Sequence, residues 1–441
     1  MFLKPNIIFY FSDQQRADTF TSDIMPNLWA LAEEGTRYTN SYTCQPVCGP
    51  ARACLQTGKF ATQCDCHRNG KPLPESEKTL ADYFNENGYD TAYIGKWHLA
   101  SETGNSKRHF HKTAVPKEYQ GGYKYWRAAD ILEFTSHGYD GYVFDEDGNQ
   151  IDFTGYRADA INDFAIEYIN NRTEEKPFFM FVSQLEPHHQ NDHKAFEGFK
   201  ETVDSFKKHS IPNDLKFLKG NYKEEYPDYL SAINRIDYNL GKLIDTLKEK
   251  GLYDNTVIIY TSDHGCHFKT RNSEYKRSCH ESSIHTPLVI SGGAYKKGKV
   301  DDRLVSLIDL PPTMLDFAGI YIPSFFSGVS ILEQEEKGTK RDNVFIQISE
   351  SQTGRAIRTE KYKYSVRALT VPAFYNGASA KVYYEDYLYD LKNDPDEKMN
   401  LVNDKNFKEI RKNLAKQLSD EMEKAWELKP KIKPAIFKRK K

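Results

Sequence analysis

Short runs of β-branched and aromatic residues recur along the chain, with helix-like segments between them. The runs that end in polar, reactive residues lie at 7–11, 91–94, 178–182 and 257–261. Buried strands that alternate with helices are typical of a largely parallel sheet covered on both faces. Because ligands of such sheets bind beyond the carboxyl ends of the strands, we expect the polar residues after these runs to meet in one crevice.

The segments between the runs carry apolar residues at helical spacing. Helices are expected at 26–35, 80–88, 158–170 and 229–251, the last with one long apolar stripe. The fold class predicted from these patterns is α/β, with a large mostly parallel sheet sandwiched by helices.

A change in pattern near residue 340 predicts two domains. We expect a catalytic domain over 1–338, with an irregular insertion at about 101–152 that is rich in glycine, histidine and aromatic residues. Residues 339–441 show short strands joined by turns and an amphipathic helix at about 407–426, which indicates a smaller α+β subdomain with an antiparallel sheet. A chain of 441 residues is long enough for both domains.

Composition argues against several classes of function. The formal net charge of −2 argues against a general nucleic-acid binder. No stretch approaches the roughly 20 apolar residues of a membrane helix, and no signal sequence precedes the first run, so we predict a cytoplasmic protein without a membrane partner. The seven cysteines, clustered mostly between Cys44 and Cys66, do not indicate a secreted disulfide framework. Nothing in the sequence indicates the oligomeric state.

Two aspartates directly follow strand runs that are far apart in the sequence. Asp13 lies after the first run and Asp263 after the last, and in a shared crevice their carboxylates would repel unless a cation lies between them. Gln14 and His264 are their neighbours. Carboxylate and amide oxygens suit a hard divalent cation, whereas a histidine ligand favours manganese or zinc.

The stretch from Cys48 to Arg52 predicts an anion site at the start of a helix. Pro50 suits the first turn of a helix and Gly49 lets the backbone approach a ligand, so Cys48 should lie at a helix N-terminus. Arg52 falls on the same helix face. A zinc site is an alternative use of the cysteines, although no paired C-x-x-C spacing occurs. Its ligands would come from Cys44, Cys48, Cys54, Cys64, Cys66 and His67.

The same stretch, followed by Leu55 and Thr57-Gly58, resembles the C-x-P-x-R…TG signature of type I sulfatases, a family of the alkaline phosphatase superfamily. Further motifs of that family occur in order from Pro5 to about Leu401. In this family a formylglycine-generating enzyme oxidises the cysteine to formylglycine, also called 3-oxoalanine. The resemblance implies that the hydrate of this aldehyde attacks the sulfur of a sulfate ester and that its second hydroxyl then expels sulfate.

The resemblance also implies roles for individual residues. Lys96 and His98 match a G-K-W-H motif, His188 matches a P-H motif, and Lys276 aligns by its context with a sulfate-binding lysine. The implied catalytic residues are Cys48, Arg52, Lys96, His98, His188 and Lys276, and three of them, Lys96, His188 and Lys276, also bind substrate. The implied metal ligands are Asp13, Gln14, Cys48, Asp263 and His264, and the implied ion is Ca²⁺, with Mg²⁺, Mn²⁺ and Zn²⁺ as alternatives. His280 and His285 depart from the family's usual tyrosine and common arginine, which leaves substrate contacts there open.

The sequence therefore predicts a sulfuric ester hydrolase that acts on a small sulfated substrate, with a carbohydrate sulfate expected. A phosphonate or phosphate diester hydrolase of the same superfamily is one alternative. A catalytically silent metal- or glycan-binding relative is another, should Cys48 not be matured. Several side chains suit either a sugar or an aryl pocket, namely His109, His111, Tyr123, Tyr125, Trp126, His137, His189 and His193.

Overall fold

The computed structural model describes residues 4–104, 107–173, 175–293, 295, 298–369 and 377–436. Within these ranges the chain forms an eleven-stranded sheet and a five-stranded sheet. The strands of the larger sheet are β1 (Asn6–Ser12), β2 (Thr36–Tyr42), β3 (Asp90–Lys96), β4 (Tyr125–Ala129), β5 (Ser136–His137), β6 (Asp140–Phe144), β7 (Gln150–Thr154), β8 (Phe178–Ser183), β9 (Thr256–Ser262), β10 (Leu288–Gly292) and β11 (Lys299–Ser306).

Helices cover both faces of this sheet. The helices of the described residues are α1 (Pro26–Glu34), α2 (Cys48–Thr57), α3 (Leu80–Glu86), α4 (Leu132–Thr135), α5 (Arg157–Asn170), α6 (Lys200–Phe206), α7 (Asn213–Lys216), α8 (Tyr222–Glu249), α9 (Glu281–Ile284), α10 (Leu310–Phe317), α11 (Ile331–Lys337) and α12 (Lys408–Lys424). The last of them, α12, packs against the five-stranded sheet. The long helix α8 begins at Tyr222, before the predicted start at 229, and contains Pro227 within its first turns. Among the described residues, no helix combines the length and the apolar character needed to cross a bilayer.

The centre of the larger sheet is parallel. Strands β9, β1, β8, β3 and β4 are parallel neighbours, and their carboxyl ends lie at one edge. Antiparallel pairings flank them, β10 with β9 on one side and β6 with β4 on the other. The predicted α/β class is confirmed, and the sheet is mixed at its flanks.

The central strands are buried on both faces, which explains their continuous apolar sequences. Successive side chains of a strand point to opposite faces, so Phe9 joins one hydrophobic cluster with α2, α3 and α10. Ile8 joins the other cluster with α1, α5 and α8. The two clusters fix the sheet between its helical layers.

The segment 101–152 is more ordered than expected. From Tyr125 onward it forms β4 and then, after α4, the strands β5 and β6, and β7 follows at Gln150–Thr154. These strands extend the larger sheet at one flank. They are short, and the hairpin between β6 and β7 is largely exposed, so the hydrophobic periodicity that reveals a buried strand is weak there.

The smaller sheet lies in the C-terminal part of the chain. Its strands are β12 (Asn343–Ile348), β13 (Gly354–Thr359), β14 (Tyr362–Arg367), β15 (Val382–Asp390) and β16 (Lys431–Lys433). The first four pair antiparallel as expected, whereas β16 pairs parallel with β15. The boundary between 338 and 339 stays a prediction, and residues 370–376 and 437–441 of the expected subdomain lie outside the described residues.

A buried charge cluster holds the smaller sheet against the catalytic part. The Lys363 side chain on β14 is fully buried, and its Nζ atom lies 2.7 Å from Glu281 Oε1 on α9 and 2.5 Å from Glu397 Oε1. Buried carboxylates of this kind need a paired cation, because water cannot solvate them. Lys363 therefore links the small sheet to α9.

Replacing Lys363 tests this link. Lys363→Met should lower the free energy of unfolding by about 3–5 kcal/mol, because it removes the ammonium from the buried Glu397 and leaves Glu281 with Arg358 at 3.6 Å. Urea denaturation at neutral pH measures the change. Lys361→Met, which alters an exposed lysine two positions away, should change stability by no more than about 0.5 kcal/mol. Equal effects of the two substitutions would show that the cluster does not stabilise the fold.

Candidate active site

The register of β1 and β9 places the two predicted aspartates side by side. Ser12 pairs with Ser262 at the ends of these strands, and Asp13 and Asp263 follow directly. Both aspartates are fully buried. The Asp263 Oδ1 atom accepts hydrogen bonds from the backbone N–H groups of Gln14 at 2.9 Å and His264 at 2.8 Å, which fixes this carboxylate.

Cys48 is the first residue of α2 and faces the aspartates. Its Sγ atom lies 3.3 Å from Asp13 Oδ1 and 3.2 Å from His264 Nε2. The helix N-terminus beside it favours negative charge. Burial, reinforced by the charge of Asp13, raises the pKa of the Cys48 thiol to about 12. The predicted position of Cys48 at a helix start is therefore what the structure shows.

These residues form a group that fits a divalent cation. Asp13, Cys48, Asp263 and His264 each offer one ligand atom, and all these atoms lie within 4.8 Å of one another. The Asp263 Oδ2 atom is buried and has no hydrogen-bond partner in the described structure. Burial, together with the negative charge of Asp13, raises the pKa of Asp263 to about 7, and a cation would relieve that repulsion.

The tautomer of His264 also suits a metal ligand. Its Nδ1 atom lies 3.0 Å from the Gly265 carbonyl oxygen, so Nδ1 carries the proton and donates it. Nε2 then presents its lone pair towards Cys48 Sγ. Gln14, the remaining predicted ligand, lines the same cleft, and its side-chain Nε2 donates to Cys266 Sγ at 3.3 Å.

Two buried cations neutralise Asp13. Its Oδ2 atom lies 2.9 Å from Lys96 Nζ and 3.1 Å from an Arg52 guanidinium nitrogen. Burial alone would raise the pKa of Asp13, but the positive charges, that of Lys96 foremost, hold it well below its usual range. Asp13 is therefore anionic in the folded protein.

Arg52 connects the ends of three strands. Besides Asp13, its guanidinium donates to the Lys96 carbonyl oxygen at 2.7 Å and to Ser183 Oγ at 2.5 Å. These contacts join the carboxyl ends of β1, β3 and β8. Helix periodicity places Arg52 and Cys48 on one face of α2, but in the described structure the hydrogen bonds of Arg52 go to these strand ends.

Lys276 and His188 lie on the other side of Cys48. Lys276 Nζ is 2.7 Å from Cys48 Sγ and 3.0 Å from His188 Nε2. Burial lowers the pKa of His188 well below its usual value, and the charge of Lys276 adds to this effect. Burial and the charge of Lys96 do the same to His98, which lines the opposite wall. Both imidazoles are therefore neutral at neutral pH.

The cleft above Cys48 has a volume of about 70 Å³, below the ~300–1,000 Å³ typical of small-molecule sites. Sequence patterns did not indicate six of its lining residues, because they lie in loops and in α4, where periodicity carries no signal. These residues are Asn69, Glu133, Asn191, Glu274, Tyr275 and Arg277. A more open cleft lies at the amino ends of β3 and β4, beside Asp90 and Lys124, on the edge of the sheet away from Cys48.

The smaller sheet contributes to the wall of the catalytic cleft. Glu350, in the turn after β12, accepts a hydrogen bond from the Asn69 backbone N–H at 2.7 Å. Its other carboxylate oxygen lies 2.5 Å from Arg277, the residue after Lys276. The Arg277 guanidinium also pairs with Glu274 at 3.0 Å. The part of the chain with the larger sheet and the part with the smaller sheet therefore both shape the entrance to the site.

Most of the aromatic residues expected to line the substrate pocket lie elsewhere in the structure. Tyr123 and Trp126 are buried and pack against Tyr93 in the core. Tyr125 packs against Tyr168 at the amino-end cleft. Of the eight residues, His189 lines the catalytic cleft. The expectation failed for Tyr123, Tyr125 and Trp126 because aromatic composition does not distinguish core from cleft.

The alternative zinc site is not assembled. Cys44, Cys54, Cys64 and Cys66 are buried free thiols. Among the described residues, Cys48 is the one member of the predicted zinc set that belongs to a group of possible metal ligands. Burial raises the pKa of the Cys64 thiol to about 12, and the other thiols of this set lie in the hydrophobic cluster beside α2. These cysteines pack as small apolar residues.

Comparison with known families identifies the chain. The sequence model described as Sulfatase matches residues 5–320, and one described as N-sulphoglucosamine sulphohydrolase, C-terminal, matches residues 273–424. The chain belongs to the sulfatase family, which is part of the alkaline phosphatase superfamily, and it is a sulfuric ester hydrolase.

Curated relatives align over most of the chain. An N-acetylglucosamine-6-O-sulfatase of Bacteroides thetaiotaomicron is 28% identical, over 96% of this chain and 87% of its own length. An ulvan-active sulfatase of Formosa agariphila is 28% identical over 90% of this chain and 80% of its own length. An arylsulfatase of Clostridium perfringens is 28% identical over 94% of this chain and 95% of its own length.

Solved structures share the fold. A sulfatase from work on glycosaminoglycan metabolism by Bacteroides thetaiotaomicron has a TM-score of 0.81 at 22% identity, covering 96% of this chain and 97% of its own. A protein in complex with its substrate D-glucosamine-2-N,6-O-disulfate has a TM-score of 0.75 at 25% identity, covering 96% and 98%. A phosphonate monoester hydrolase from Silicibacter pomeroyi has a TM-score of 0.68 at 20% identity, covering 96% and 96%.

Removing one carboxylate of the cation group tests the metal site. Asp263→Asn should weaken Ca²⁺ binding by about tenfold or more, because it removes a charged oxygen ligand. Isothermal titration calorimetry on the protein before maturation measures this without any need for turnover. Asp237→Asn, which alters a buried carboxylate on α8 outside the group, should bind Ca²⁺ like the unaltered protein. Unchanged binding by Asp263→Asn would exclude Asp263 as a ligand.

Proposed function

We propose that the chain hydrolyses the sulfate ester of a small carbohydrate, using a formylglycine made from Cys48 and a divalent cation. The observation that carries the proposal is the place of Cys48 Sγ, 2.7 Å from Lys276 Nζ and beside the candidate metal ligands. The residue that the family uses as its nucleophile thus faces a fixed cation in a closed cleft. A formylglycine-generating enzyme is then a partner that the chain requires.

The cation would be held by Asp13, Asp263 and His264, with Gln14 at the edge of the same cleft. We favour Ca²⁺ because oxygen donors dominate this set, with Mg²⁺, Mn²⁺ and Zn²⁺ as alternatives. When bound, the ion stabilises negative charge on the attacking oxygen and on the sulfate group. The buried Asp263 Oδ2 atom without a hydrogen-bond partner supports this assignment.

The lysines of the cleft bind and orient the sulfate. A formylglycine hydrate supplies two hydroxyls on one carbon, so that sulfate can be taken up through one and expelled by the other. Lys96 Nζ bonds Asp13 and Glu133 and retains one further N–H to donate. Lys276 Nζ, next to Cys48 Sγ, supplies a second positive charge. Fixed cations aimed at the place where negative charge develops are the main source of transition-state stabilisation in such sites.

Two neutral histidines would move the protons. His188 Nε2 is 3.0 Å from Lys276 Nζ, so this pair can deliver a proton to the leaving alcohol. His98 lies on the opposite wall and, being neutral, can accept the proton of the hydroxyl that expels sulfate. The lowered pKa of His98 supports its role as a proton acceptor. Because His188 is also neutral, the proton for the leaving alcohol would come from the Lys276 ammonium, which His188 Nε2 orients.

The arrangement of cations favours a sulfate monoester. A sulfate monoester has three non-bridging oxygens, and Lys276 and His188 line the space next to Cys48 where they would lie, with the buried Lys96 bonded to Asp13. A phosphate diester would need room there for a second organic group. The diester or phosphonate alternative is kept because the fold is shared with a phosphonate monoester hydrolase.

Glu133 favours a sugar over an aryl group. This side chain lines the cleft and is 6% exposed, and its Oε2 atom has no hydrogen-bond partner among the described residues. An aryl sulfate would leave this oxygen unpaired, at a cost of about 1–3 kcal/mol. A sugar can donate a hydroxyl or amide hydrogen to it. The carbohydrate substrates named for two relatives agree with this choice.

Matured protein tests the proposed reaction. Peptide mass analysis should find Cys48 converted to formylglycine after expression with a generating enzyme. Such protein should hydrolyse nitrophenyl sulfate with a higher kcat/KM than bis-nitrophenyl phosphate, since the cleft holds a monoester. Cys48→Ala should lose several orders of magnitude in kcat while it stays folded, because it removes the nucleophile and little volume. A preference for the diester would support the alternative reaction, and folded, matured protein without turnover would indicate a silent relative.

Glu133→Gln tests the sugar contact. The substitution should lower kcat/KM for N-acetylglucosamine 6-sulfate about tenfold or more relative to nitrophenyl sulfate, because it removes a charged acceptor that a sugar would use. The ratio of the two kcat/KM values is the quantity to compare, because Glu133 also contacts Lys96 and a disturbed Lys96 would affect both substrates equally. Glu274→Gln is the matched control, since this cleft carboxylate already pairs with Arg277. Equal losses on both substrates would show that Glu133 acts through Lys96 alone.

A further inference from the structure

A second group of metal-ligating side chains lies outside the catalytic cleft. His137 on β5, Asp192 and His193 each offer one ligand atom, and these atoms lie within 4.8 Å of one another. His137 Nε2 is 2.9 Å from Asp192 Oδ2, and the two imidazole rings stack with centroids 4.1 Å apart. All three side chains are exposed, so an ion can reach them from solvent.

We propose that His137, Asp192 and His193 bind a transition-metal ion such as Zn²⁺. Two imidazoles and one carboxylate form a mixed nitrogen and oxygen set, which suits zinc and neighbouring transition metals better than calcium. Two stacked imidazoles would repel each other if both were protonated. Coordination keeps both rings neutral, and the carboxylate offsets one positive charge of the ion.

The surrounding hydrogen bonds orient these ligands. Asp192 Oδ1 accepts hydrogen bonds from Gln190 Nε2 at 2.8 Å and from the His193 backbone N–H at 3.1 Å, which leaves Oδ2 to face His137. Glu197 Oε1 lies 2.5 Å from His193 Nδ1, so this nitrogen donates and the Nε2 lone pair is free for an ion. A carboxylate behind a histidine ligand is the usual way in which proteins orient a metal-binding imidazole.

Glu197 is itself fixed in place. Its second oxygen, Oε2, accepts a hydrogen bond from the Gly138 backbone N–H at 2.6 Å. Gly138 directly follows His137, so one carboxylate connects both histidine segments. Without an ion the same contacts are exposed salt bridges, which are worth only about 0–1 kcal/mol and give little reason for such ordered geometry.

An ion at this site would connect two walls of the catalytic cleft. His137 follows α4, which carries Glu133, whereas Asp192 directly follows Asn191, and both Glu133 and Asn191 line the cleft. Gln190 already bridges the two segments through a 2.9 Å hydrogen bond to the Glu133 carbonyl oxygen. The proposed site is separate from the catalytic cation group and does not depend on the proposed reaction.

Zinc titration of calcium-saturated protein tests the proposal. Calorimetry should show one saturable Zn²⁺ site that is at least tenfold weaker in His137→Ala and in His193→Ala. His209→Ala is the matched control, because His209 is another histidine paired with a surface carboxylate, Asp23, at 3.2 Å. This control should bind Zn²⁺ like the unaltered protein. Zinc that replaces calcium in the catalytic group would be retained by all three variants and is therefore distinguishable.

A second variant separates coordination from folding. Glu197→Gln should weaken Zn²⁺ binding by about 10- to 100-fold, because it removes the carboxylate that orients His193 while leaving all three ligands in place. Circular dichroism should be unchanged in every variant, since the altered side chains lie at the surface or only partly buried. Unaltered protein without saturable Zn²⁺ binding, or binding that His137→Ala and His193→Ala retain in full, would overturn the proposal.

Discussion

The catalytic cleft depends on the register of two parallel strands. β1 and β9 pair from Asn6 opposite Thr256 to Ser12 opposite Ser262, so that the next residue on each strand is an aspartate. A slip of one residue would turn one aspartate towards the other face of the sheet. The register thus brings two carboxylates together in the protein interior. The positively charged groups around them neutralise that negative charge.

In this protein the same residue balances the buried negative charge and aligns the strands. Arg52 bonds Asp13, the Lys96 carbonyl oxygen and Ser183, so a single guanidinium neutralises charge and aligns three strand ends. Buried ion pairs lose much of their Coulomb energy to desolvation unless their remaining hydrogen bonds are satisfied. Asp13 meets that requirement because both of its oxygens are bonded, Oδ1 to Cys48 and Oδ2 to Lys96 and Arg52. Lys363 bonds two carboxylates in the same way where the small sheet meets α9.

The sequence predicted those structural elements whose signals lie within a few neighbouring residues. Continuous apolar runs revealed the central strands, and the stretch around Cys48 revealed a helix start, because both signals lie within a few neighbouring residues. Glu133 and Glu350 were missed, because one lies in a short helix beside exposed hairpins and the other in a turn of the smaller sheet. Trp126 was misplaced because its partners in the core, such as Tyr93, are distant in sequence and composition cannot reveal contact.

Cys48 is synthesised well before the residues that enclose it in the folded protein. Its Sγ atom is enclosed by Lys276, which follows it by 228 residues. At synthesis rates of about 5–20 residues per second, roughly 10–50 s pass between the emergence of these two residues from the ribosome. For most of that interval strand β9, which ends at Ser262, has not emerged and the cleft cannot close around the thiol, whereas in the folded protein Cys48 is 1% exposed. The topology that closes the cleft thus leaves the nascent chain as the state in which the Cys48 thiol is accessible.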